Sequence, residues 1–96
     1  MTIQVTGLDP SQRFVDELSK ADRELQVAVK AALDLLKSNP RARSLRLHNL
    51  QGYAKPTIWK IDVYTNKSWQ ITFELDGGIA KLKRLGTHKS IDREPR

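Results

Sequence analysis

Apolar residues recur every three or four positions through the first forty residues and every second position beyond Ser44. Asp9-Pro10 offers a helix cap followed by proline at a first helical position, and Phe14, Leu18 and Ala21 then fall at helical spacing. These features predict a helix from Pro10 to Lys20. Asp22 offers a second cap, after which Leu25, Ala28, Val29, Ala32, Leu33 and Leu36 form one apolar stripe. Asn39-Pro40 ends it, because proline disfavours helical geometry in the residue before it. The turn between the two helices is short, so they are expected to lie antiparallel. Thr2 to Thr6 could add a short leading strand.

From Leu45 the pattern is that of strands. Leu45 and Leu47 share one face and Arg46 and His48 the other. After a turn around Gly52 to Pro56, Trp59, Ile61 and Val63 oppose Lys60, Asp62 and Tyr64. A hairpin tip at Thr65 to Ser68, with Asn66-Lys67, leads to a strand in which Trp69, Ile71, Phe73 and Leu75 oppose Gln70, Thr72 and Glu74. Asp76-Gly77-Gly78 is a strong hairpin signal. In the last strand, Ile79 to Leu85, the alternation is less clean, with Leu82 inward and Lys81 and Lys83 outward. The expected fold is therefore α+β: two N-terminal antiparallel helices packed on a four-stranded antiparallel sheet, or five-stranded if Thr2 to Thr6 joins it. The helices should cover the Trp59/Trp69/Phe73 face and leave the opposite face open. Both tryptophans fit the apolar phase of their strands, which makes them core residues before stacking platforms.

Composition narrows the chemistry. With 96 residues there is room for one domain and one core, and the stretch from Lys89 to Arg96 reads as a mobile tail. Seventeen lysines and arginines against eleven acidic residues give a net charge of +6, which favours nucleic acid as the partner. No segment approaches the ~20 apolar residues of a membrane span, and MTIQVTGLDP lacks the cationic start of a signal peptide. A cytoplasmic location without membrane contact is expected. The absence of cysteine excludes disulfides, thiolate metal sites and cysteine nucleophiles. The two histidines lack H-x-x-x-H spacing, and neither a glycine-rich phosphate loop nor G-x-S-x-G is present, so no metal or cofactor is expected.

The two imidazoles, His48 and His88, are then the leading candidates for proton transfer. Register places Arg46, His48, Lys60, Lys81 and Lys83 on the open face, with Arg84 nearby and His88 where the last strand ends. Cutting RNA without a metal needs a base for the 2′-hydroxyl, an acid for the leaving 5′-oxygen and cations around the phosphorus. These residue types suffice for all three tasks. Isolated lysines and arginines on a surface are usually only solvated charge, so it is their clustering that matters here.

The order of these segments resembles the RelE/ParE superfamily of type II toxins over nearly the whole chain. The resemblance is carried by Asn39-Pro40, His48-Asn49-Leu50-Gln51-Gly52, Trp59-Lys60-Ile61, Trp69-Gln70-Ile71-Thr72-Phe73 and Gly86-Thr87-His88. His48 before Leu-Gln-Gly and the Gly-Thr-His ending are similar to the YafQ-type branch, and the Trp-x-Ile strands to HigB-type toxins. The resemblance implies cleavage of mRNA on the translating ribosome and an acidic antitoxin that wraps the toxin. In that frame His88 is the general acid or a transition-state cation and His48 the general base. Lys60, Lys83 and Arg84 hold phosphate, with Arg46 and Lys81 as secondary contacts. Gln70 stands where many relatives place an arginine, and Asp92 where YafQ-type toxins carry an aromatic. Two other readings fit the same residues: a ParE-like gyrase inhibitor, and an inactive basic RNA-binding module. The histidine pair speaks against the first.

Overall fold

Asp22 caps the second helix as its sequence suggests: its carboxylate accepts from the Leu25 amide at 2.8 Å. In the computed structural model, which describes residues 4–54, 57–64 and 68–93, helix α2 runs Arg23–Ser38 and helix α1 Gln12–Ser19. Strands β2 (His48–Ala54), β3 (Thr57–Asp62), β4 (Trp69–Asp76) and β5 (Ile79–Thr87) form an antiparallel meander. Strand β1 (Gly7–Pro10) pairs parallel with β5, so the sheet is mixed, in the order β1-β5-β4-β3-β2. A third helix, α3 (His88–Arg93), closes the described chain.

A fifth strand thus exists, but at Gly7–Pro10 rather than Thr2 to Thr6, and it pairs parallel where an all-antiparallel sheet was expected. Positions 2 and 3 lie outside the described residues. The displacement also corrects the start of α1, since Asp9 and Pro10 pair with Lys81 and Leu82 of β5 instead of opening a helix. Ser11 makes the transition: its hydroxyl accepts from the Phe14 amide and donates to the Lys83 carbonyl, while its own amide donates to the Leu82 carbonyl.

Phe14 of α1 and Leu25, Val29, Leu33 and Leu36 of α2 pack on Ile61, Ile71, Phe73, Leu82 and Leu85 of the sheet. This is the face that the alternation assigns to the helices, with Trp59 and Trp69 half-buried at its margin. Fully burying each such large apolar side chain contributes about 1.5–3 kcal/mol. The β4–β5 turn is the expected hairpin: Asp76 pairs with Ile79 across Gly77 and Gly78, whose φ angles of 59° and 89° suit glycine. The weak alternation of β5 has a physical cause. Thr72 pairs with Arg84 and Phe73 with Leu82, so Lys83 is the extra residue of a bulge. The bulge shifts the phase and brings both Leu82 and Leu85 to the core.

Three expectations need correction. The strand beginning at Leu45 starts only at His48, because Arg43–Leu45 form a 3-10 turn and Arg46 is left-handed with φ 49°. Within the turn expected at Gly52 to Pro56, β2 extends through Ala54; positions 55 and 56, like the hairpin tip at 65–67, lie outside the described residues. The stretch from Lys89, read as a mobile tail, is helical through Arg93 and buries Ile91; residues 94–96 lie outside the description. The face opposite α1 and α2 is consequently not open. Ile58, Lys60, Asp62, Gln70 and Thr72 on it are buried.

Arg46 tests the backbone argument. Left-handed geometry costs a non-glycine residue roughly 1–2 kcal/mol, and glycine avoids that cost. Arg46→Gly is therefore expected to unfold at higher urea concentration than Arg46→Ala, by roughly 1 kcal/mol in stability. Both variants lose the same guanidinium, so equal midpoints would contradict the strain.

Candidate active site

The Gly86-Thr87-His88 sequence acquires a structural meaning at the junction of β5 and α3. A Cβ on Gly86 would lie 3.3 Å from Ser90 Oγ and 3.4 Å from Ile91 Cδ1, so glycine lets α3 seat closely on the sheet. Thr87 Oγ1 accepts from the Ser90 amide at 3.3 Å, which caps α3. His88 is the first helical residue, and its side chain is 55% exposed. One helical turn later, Asp92 Oδ2 lies 3.1 Å from His88 Nδ1.

Asp92 also links His88 to the sheet. Its other oxygen, Oδ1, is 3.8 Å from Nζ of Lys60, whose side chain is only 7% exposed. Lys60 in turn stands directly opposite His48 across the β2–β3 ladder. Residues so opposed share a face, with Cβ atoms about 4.5–5.5 Å apart. His48, Lys60, Asp92 and His88 are thereby connected from the edge strand to the last helix. His48 and Lys60 thus share a face, and a carboxylate that the sequence reading treated only as a missing aromatic links Lys60 to His88.

Local structure fixes the orientation of each imidazole. His48 Nδ1 lies 2.6 Å from the backbone carbonyl of Arg46. A carbonyl can only accept, so Nδ1 carries a hydrogen, and in the neutral imidazole the lone pair is on Nε2. That carbonyl is placed by the left-handed turn at Arg46. At His88 the carboxylate of Asp92 accepts from Nδ1, leaving Nε2 as the nitrogen free to exchange a proton with a bound molecule.

The remaining cations divide into separate groups. Arg46 pairs with Asp62 at 3.5 Å, its guanidinium half-exposed over a carboxylate that is 1% exposed. Gln70 holds the same carboxylate by donating to Oδ1 at 3.0 Å. Among the described residues, Asp62 Oδ2 and Gln70 Oε1 have no hydrogen-bond partner. Lys83 lies 3.7 Å from Glu74 and Lys81 3.2 Å from Asp76, farther along the sheet toward the Gly77-Gly78 turn. Arg84 has another use. It is buried, donates twice to Glu17 Oε2 at 3.1 and 2.6 Å, and donates to the Ser90 carbonyl and hydroxyl. Beyond Leu82 strand β5 no longer has β1 beside it, and Glu17 Oε1 takes the Leu85 amide at 3.0 Å. Arg84 thus stands opposite Thr72, on the face that carries Lys60, with its guanidinium engaged in tying α1 to α3.

No protein-family model and no characterised sequence matches the chain. Solved structures do. A chain of the E. coli DinJ–YafQ toxin–antitoxin complex aligns at TM-score 0.71 and 19% identity, covering 94% of this chain and 98% of its own. The fold is that of the RelE and YafQ toxins. A free E. coli RelE mutant aligns at TM-score 0.69 and 16% identity over 93% of this chain and 90% of its own. A chain of the RelB–RelE antitoxin–toxin complex from Methanococcus jannaschii aligns at 0.61 and 21% identity, over 88% and 95%. Against this YafQ-like frame the two departures noted above are structurally engaged. Gln70 binds Asp62, and Asp92 bridges Lys60 and His88. The i,i+4 spacing of His88 and Asp92 was visible in the sequence, but it carries weight only once α3 is known to be a helix.

Proposed function

We propose that the chain is the toxin of a type II toxin–antitoxin system, a metal-independent endoribonuclease that cuts mRNA on the translating ribosome in the cytoplasm. The observation that carries this reading is the connected set His48–Lys60–Asp92–His88 on a face of the RelE/YafQ fold. His48 Nε2 takes the proton of a ribose 2′-hydroxyl, and the 2′-oxygen attacks the adjacent phosphorus. Charge accumulating on the phosphoryl oxygens is met by Lys60, with Arg46 beside it and Lys83 and Lys81 at the far rim. His88 Nε2–H protonates the departing 5′-oxygen, or its imidazolium stabilises the pentacoordinate state. The products are a 2′,3′-cyclic phosphate and a 5′-hydroxyl. Asp92 is a positioning residue that orients His88 and holds Lys60 near it.

Expression tests this reading. Inducing the chain alone in a bacterial host is expected to arrest translation within minutes, with fragmented mRNA. Co-expression of an acidic antitoxin from the neighbouring gene should restore growth. Intact mRNA together with cleaved or relaxed DNA would point instead to gyrase and overturn the proposal. Lys60→Gln is expected to lower cleavage by about 10²-fold, as loss of one preorganised donor does. Cleavage by Lys60→Gln at the wild-type rate would remove it from the mechanism.

A further inference from the structure

The loop between α2 and β2 carries two arginines, Arg41 and Arg43, that the proposed reaction does not use. Arg41, Arg43 and Arg46 line a groove of about 470 Å³ together with Leu47 and His48, and no acidic residue lines it. Arg41 and Arg43 are exposed. Among the described residues, only Arg46 of the three has an ion pair, the 3.5 Å contact with Asp62. Arg46 belongs to two features at once. It lines the groove, and its strained left-handed backbone supplies the carbonyl that orients His48. Strain of this kind persists only where the surrounding structure enforces it, and it concentrates at functional sites.

We propose that this arginine groove is a subsite for a backbone phosphate of single-stranded RNA, displaced along the strand from the phosphate that is cut. The proposal rests on the endoribonuclease reading of the adjoining face. Guanidinium groups suit phosphate because their planar fork donates two parallel hydrogen bonds. Continuity with His48 means that a strand seated over Arg41 and Arg43 runs directly onto the base. The lining also argues against a protein helix as occupant: such a partner needs a row of apolar anchors, and here the apolar lining is limited to Ala42 and Leu47.

Binding of oligonucleotides to the full chain tests the subsite. Fluorescence anisotropy with 2′-O-methyl RNA of three and of eight nucleotides isolates binding, because the probe lacks the attacking hydroxyl. The wild-type chain is expected to bind the longer probe more tightly and with a steeper salt dependence. Arg41→Gln/Arg43→Gln should weaken the eight-nucleotide probe about tenfold and reduce its salt slope by about 1.4, two contacts at ~0.7 each. Its affinity for the three-nucleotide probe should stay within about twofold, as expected when a displaced phosphate contact is lost. A wild-type slope in the double variant would overturn the proposal. So would equal losses on both probes, or unchanged probe binding accompanied by lost binding to ribosomes or to an acidic antitoxin. If the wild-type chain cuts no RNA at all, the endoribonuclease reading fails, and the probe slopes still decide whether the groove binds phosphate.

Discussion

His88→Ala is expected to slow RNA cleavage by about 10²–10⁴-fold, the range over which a positioned general acid contributes. The fold should be nearly untouched. The side chain is more than half exposed, and its contact in the structure is the 3.1 Å approach to Asp92, an exposed pair of a kind that contributes about 0–1 kcal/mol. Asp92→Asn separates position from chemistry. The amide oxygen can still accept from His88 Nδ1, but the charge facing Lys60 is gone. Its cleavage rate should therefore fall below the wild type, but less than that of His88→Ala. An Asp92→Asn rate equal to the wild type would reduce Asp92 to a structural bystander. Full activity in a folded His88→Ala chain would remove His88 from the mechanism.

The second large effect concerns stability. Arg84→Ala is expected to destabilise the fold by about 3 kcal/mol, because it removes charge-assisted hydrogen bonds worth about 1.5–3 kcal/mol each and leaves a half-buried Glu17 without its partner. In a domain of this size that corresponds to a melting temperature lower by more than about ten degrees. Arg84→Lys should recover little, since an ammonium cannot span Glu17 and Ser90 as the guanidinium fork does. Lys83→Ala, one residue away at the bulge, should shift stability by less than about 0.5 kcal/mol. Thermal melts of the three variants decide the matter. An Arg84→Ala melt near the wild type would return Arg84 to the surface as a candidate RNA contact.

Arg84 and Lys83 also show where sequence reasoning ends. Period-two alternation located β3 and β4 and their inward faces, and helical spacing located α2 with its Asp22 cap, because those signals are local and strong. The bulge at Lys83 is a long-range pairing feature, and it reassigns Arg84 from a surface strand to a bridge between two helices. The parallel β1–β5 pairing is likewise invisible locally, and Asp9-Pro10 therefore reads as a helix start. At the site, His48 and Lys60 were legible as sharing a face. Their link to His88 was not, because it depends on α3, a six-residue helix held by one buried isoleucine, a threonine cap and a glycine at the contact. So short a segment has too few apolar positions for periodicity to declare it. Arg46 was read as a strand residue beside His48; the left-handed turn changed the conformation but kept the two adjacent.

The ends of the cleavage products test the central claim most directly. Purified chain would be incubated with ribosomes programmed with a labelled mRNA, and the fragments analysed for their terminal groups. Attack by the 2′-hydroxyl, driven by His48 and completed by His88, leaves a 2′,3′-cyclic phosphate on one fragment and a 5′-hydroxyl on the other. Those ends are expected from the wild-type chain and should be lost in both His48→Ala and His88→Ala. Fragments ending in a 3′-hydroxyl and a 5′-phosphate, the outcome of attack by water, would contradict the account.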